Sequence, residues 1–171
     1  MILPKVRDPR LVSVRRGGTL SETDHRLLAV WAAACAEHVL PLFEESNGED
    51  TRPREAIAAA RTWARGEAKM MHTRAMGGHA MGAARSLHGA ARFAAYAAGQ
   101  AACVAHVPEH DLGAAAYAIK AVRAAVPRGK EKEAGQAERD WQRRQIPENL
   151  YDLVLEDQAR RNNICWSVFN D

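Results

Sequence analysis

Apolar residues recur at three- and four-residue intervals along most of this chain, which is the spacing of one buried helix face. Leu27, Leu28, Trp31, Cys35, Val39 and Leu42 carry the first such stripe. Ser21 stands in front of it as an N-cap, with Glu22 and Asp24 placing negative charge in the first turn. The pattern predicts a helix over about 22–45. Pro41 removes one backbone donor and crowds the preceding turn, so a kink or break is expected near Val39-Leu40.

Thr51 is read as the cap of a second helix, with Pro53 in its first turn, Ala56, Ile57, Ala60, Trp63 and Ala64 apolar, and Gly66 as its stop. A third helix runs from Glu67 to about Ser86, with Ala75, Gly78, Gly82 and Ser86 on one small-residue stripe, unless Gly77-Gly78 interrupts it. A fourth covers about 89–106, with Phe93, Ala94, Ala97, Ala101 and Val104 inward. After Pro108 a fifth covers about 109–126 with Leu112, Ala115, Ala116, Ile119, Val122 and Val126 on one face. A polar helix over about 131–145 is anchored by Trp141, and Pro147 opens a last one ending near Arg161. Residues 11–15 are β-prone but lack a partner, so they read as an extended arm packed on helices. The result is an all-α bundle of six or seven helices, with an arm over 1–20 and a helical domain over 21–161. The apolar tail over 162–171 docks on the body or on a second subunit, which leaves a homodimer open.

Composition sharpens the packing. Between Ala83 and Ala125, 18 of 43 residues are alanine, so stability must come from many close helix contacts rather than from large side chains. The net charge is only +3, and bases alternate with acids except near the start, where Lys5, Arg7, Arg10, Arg15 and Arg16 face Asp8 alone. A nucleic-acid partner is therefore not demanded, and it ranks lowest. Three scattered cysteines with no CxxC spacing point to a reducing compartment, and neither a secretory signal nor a membrane span is legible. The chain reads as cytoplasmic.

Candidate chemistry is sparse. His72, Met76 and His79 share a helical face, and His106 and His110 flank Pro108, so His79, His106 and His110 are the candidate metal ligands; no carboxylate or thiolate completes the set. The blander reading has these imidazoles capping helix ends on backbone carbonyls. Arg52, Arg54 and Arg65 with Trp63 could grip a carboxylate or phosphate; equally, such arginines form a solvated helix face. Met70, Met71, Met76 and Met81 suit helix packing. Arg92, Tyr96 and Gln100 form a polar ridge that could hydrogen-bond to Tyr117. No serine or cysteine has a base beside it, no GxxxxGK[ST] loop is present, and no cofactor is called for.

Several strings carry a resemblance: Leu11 to Ser21 with Asp24-His25-Arg26, Trp31 through Cys35 to Glu44, Arg52-Pro53-Arg54, Trp63 to Glu67, Ala105-His106-Val107, Gly113 to Tyr117, Glu138–Trp141 and Ile146-Pro147-Glu148. In order and spacing these resemble the Imm-5-like immunity proteins of bacterial toxin–immunity systems. The resemblance implies a helical protein that binds and neutralises a cognate toxin, and it brings no catalytic residues with it. His72, Gly77 and Gly78 depart from it, where ordinary helix formers are expected. The competing class is a small-molecule- or metal-binding helical protein, enzymes included, built around a histidine-lined pocket.

Overall fold

A computed structural model describes residues 2–170. Its main elements are α1 (Glu22–Val39), α2 (Pro41–Asn47), α3 (Arg52–Ala64), α4 (Met70–Ala83), α5 (Gly89–Cys103), α6 (Asp111–Ala125), α7 (Glu131–Arg144) and α8 (Tyr151–Arg161). Ser21 caps α1, accepting from Asp24 N at 3.0 Å. Pro41 breaks the first stripe into two helices bent by 47°, which brings the count to eight. No helix among the described residues is by itself long and apolar enough to cross a membrane; α1 and α2 pass that test only as the bent pair. Gly66, left-handed at φ 81°, ends α3 as its N–H bonds Trp63 O at 2.8 Å. Thr51 does not cap α3: its hydroxyl goes to Glu55, and Asp50 accepts from Arg52 N instead.

Helices α5 and α6 lie side by side at the centre, α1 packs across both, α3 and α4 close on α5, and α7 closes on α6. The alanines of α5 and α6 are buried almost throughout, so the helix axes approach closely. The tightest crossing is α4 on α5. A methyl group added at Gly77 would come within 2.7 Å of Gly99 O, and one at Gly99 within 2.8 Å of Gly77 O. The glycine pair therefore leaves α4 unbroken and lets it sit against α5. Its buried face is Thr73, Gly77, Ala80 and Ala83, one position away from the small-residue stripe read from the sequence; Ala75 and Gly78 are exposed.

Two polar networks fix the remaining elements. Trp141 stacks on His38 (3.7 Å, 11°), whose Nδ1 donates to buried Glu138 at 2.7 Å. Gln142 bonds Glu138 and Ala115 O, and Trp31 Nε1 donates to Gln142 O at 2.9 Å. The second network centres on Arg161, 1% exposed, which donates to Asp157 at 2.9 Å, Asp111 at 3.1 Å and Glu109 O at 2.8 Å. Arg7 pairs with Glu109, and Arg160 with Asp8 at 2.9 Å and with Asp157. The residues before α1 are less extended than their β-prone composition suggests. They form 3-10 turns at Pro9–Leu11 and Val14–Arg16, with a single bridge between Ser13 and Leu20, and they bury Leu11 and Leu20.

Candidate binding surface

The arginines of α3 do not converge. Arg52 and Arg54 open the helix and Arg65 follows its end, about 20 Å along the axis. Each is met by a carboxylate of this chain: Arg52 by Asp50 (2.8 and 2.6 Å), Arg54 by Glu44 (2.8 and 2.6 Å) and Arg65 by Glu67 (2.9 Å). Half-buried Trp63 faces away from the first two, edge-on to His25 at 4.8 Å and under the Arg26 guanidinium at 5.9 Å. It walls a depression of about 390 Å³ with Val14, Leu20, Met70 and His106.

Of the three histidines, only His106 and His110 come together. They line a cleft of about 550 Å³ with Met71, Arg74, Met81 and Cys103, whereas His79 lies on the exposed face of α4 and does not line it. Gln100 Oε1 accepts from His110 Nδ1 at 2.7 Å, and His106 Nδ1 accepts from Arg16 at 3.3 Å. Burial, with His106, Arg161, Arg7 and Arg74 nearby, pushes His110 down to about 4; burial and the same kind of cationic surroundings lower His106. Both shifts favour the neutral ring within a positive field. Among the described residues no group of three or more His, Cys, Asp and Glu side chains is placed to hold a metal ion. It is His25 that bonds a backbone carbonyl, Val104 O at 2.6 Å, while His106 and His110 bond side chains.

A third site gathers residues that sequence spacing keeps apart. Phe93 and Tyr96 of α5, Tyr117 and Lys120 of α6, and Trp166 of the tail surround a depression of about 390 Å³ with His88 and Arg92. Tyr117 stacks with Tyr96 (5.0 Å, 23°) and meets Trp166 at 4.9 Å. Lys120 Nζ stands 3.8 Å from the Trp166 ring centroid and 4.5 Å from that of Phe93, and burial lowers its pKa. Trp166 is 43% exposed and left-handed at φ 57°, as is Ser167 at φ 56°. That conformation costs a side-chain-bearing residue about 1–2 kcal/mol and persists only where neighbours enforce it. Asn162 does so here, accepting from Ser167 N at 2.7 Å and Phe169 N at 2.9 Å, while Val168 and Phe169 are buried beneath. The tail therefore spends backbone strain to hold an indole at the surface. Tyr96 of the polar ridge reaches Tyr117 by ring stacking, not by a hydrogen bond.

Together these features define an all-helical protein whose chemistry lies in shallow surface depressions. Residues 18–149 match the family model of the Imm-5 like putative immunity protein, and the chain belongs to that family. No curated protein and no solved structure matches it.

Proposed function

We propose that the protein is an immunity protein of a bacterial cytoplasm that neutralises a cognate protein toxin by binding it with a preformed helical surface. The observation that carries this reading is the family match across residues 18–149. The packing supports it. Helices seated backbone to backbone at Gly77 and Gly99, with Glu138, Gln142 and Arg161 buried at the centres of the two polar networks, leave little to reorganise on association, so binding costs less ordering entropy. A standard interface takes about 800 Å² from each partner, roughly a tenth of the 8424 Å² this chain exposes.

The test is co-expression with the products of neighbouring toxin-like genes. Growth is restored in the presence of one of them, and the two proteins co-elute on size exclusion. Failure of every neighbour to be rescued or retained overturns the proposal.

A further inference from the structure

The depression between α5, α6 and the tail is lined by rings and cations and by no acid. Lys120 makes no hydrogen bond or ion pair among the described residues; only the faces of Trp166, Phe93 and Tyr117 meet its ammonium group. That group carries three N–H donors, and ring faces offset its lost hydration without taking them up as an oxygen would. Arg92 stands over Tyr96 at 5.6 Å, and its one hydrogen bond is a long one to Leu87 O, 3.4 Å. The arginines of α3, by contrast, already hold carboxylates. In this depression a lysine and an arginine stand beside an exposed tryptophan with no carboxylate among the lining residues.

We propose that this depression is the toxin-contacting face and that its occupant is an acidic loop of the toxin, one carboxylate capping Lys120 between Trp166 and Phe93. The proposal rests on the immunity reading above. Tryptophan, tyrosine and arginine are the residues that dominate protein interfaces, and here they cluster around a half-buried ammonium group. A partner carboxylate supplies the acceptor that Lys120 lacks and complements the absence of acid in the lining. Single-stranded nucleic acid also favours rings and cations, but it needs open ring faces in a row. Here Tyr117 is covered by Tyr96 on one side and Trp166 on another, and Lys120 occupies the space between Trp166 and Phe93.

The experiment uses the full chain with the toxin-like product that it rescues. Trp166→Ala and Lys120→Glu are compared with Lys120→Met, which keeps the stem packing, and with Arg54→Ala on α3; thermal unfolding confirms that each variant folds. Trp166→Ala weakens binding about 30-fold or more, Lys120→Met about tenfold, and Lys120→Glu abolishes rescue, while Arg54→Ala binds as the native chain does. The association rate falls with added salt, and less steeply for Lys120→Met. Replacing the contacted toxin acid by lysine restores binding to Lys120→Glu. If the native chain rescues and the folded Trp166 and Lys120 variants bind undiminished, this face is wrong and the immunity reading stands. If no neighbouring toxin is rescued, both fall. Loss of binding to a fluorescent oligo-dT, with toxin binding intact, would assign the face to nucleic acid instead.

Discussion

Gly77 and Gly78 are chain neighbours on α4, yet they should respond to the same substitution with opposite signs. Gly78 is exposed, with nothing within 4 Å of where a methyl group would stand. Gly78→Ala should therefore return the helix-propensity difference, about 0.8–1 kcal/mol, as added stability. Gly77→Ala gains the same propensity but meets Gly99 O at 2.7 Å, Cys103 Sγ at 2.9 Å and Ala102 Cβ at 3.3 Å. The first of these is backbone on a buried helix and cannot swing aside, so α4 must lift off α5. Overpacking of this kind costs about 1–3 kcal/mol, leaving a net loss of about 1 kcal/mol and a gap of roughly 2 kcal/mol between the two variants. In a chain of this length that gap is about 4–8 °C in unfolding midpoint, and urea titration followed by circular dichroism measures it directly. Equal midpoints, or a Gly78→Ala variant less stable than the native chain, would refute the claim that close backbone approach is what requires glycine at 77.

Two further expectations concern the buried polar groups. Arg161→Met removes the guanidinium shared by Asp111, Asp157 and Glu109 O and leaves Asp111 with no cation, Asp157 keeping Arg160, which should cost about 3–5 kcal/mol in urea unfolding; a loss under about 1 kcal/mol would mean that water or rearrangement satisfies them. His110, held down to about 4, binds its proton more readily in the unfolded chain, so it withdraws stability as pH falls from about 6.5 towards 4. Burial raises the Asp111 carboxyl, which acts in the opposite direction over neighbouring pH, so the effect is read by difference. Relative to the native chain, His110→Gln should gain up to roughly 3 kcal/mol on acidification, and a pH-independent difference would show that the ring does not titrate as placed.

Much of the helix punctuation was legible because it is set by local chemistry: Ser21 starting α1, Pro41 breaking it, Gly66 ending α3 and Pro108 preceding α6. The rotation of α4 was not, because methionine, alanine and glycine surround every candidate face and the 3.6-residue period has little contrast there. Arg54 looked available because its acid, Glu44, stands ten residues back on another helix, whereas Arg52 and Arg65 are met by Asp50 and Glu67, acids only two residues away whose pairing no helical periodicity announces. The aromatic depression draws on residues 93, 117 and 166, a meeting that only the packing of α5, α6 and the tail creates. Its traces in the sequence were the polar ridge on α5 and a tail too apolar to float free.

The Arg161 cluster also imposes an order on events during synthesis. Asp111 leaves the ribosome fifty residues before the guanidinium that bonds it, and sealing its carboxylate into the core without that partner would strand a charge in a dry interior. Until α8 emerges, closing that corner over the carboxylate is costly, however well the seven helices before it have packed. Helix α8 is thus the latch that lets this corner close.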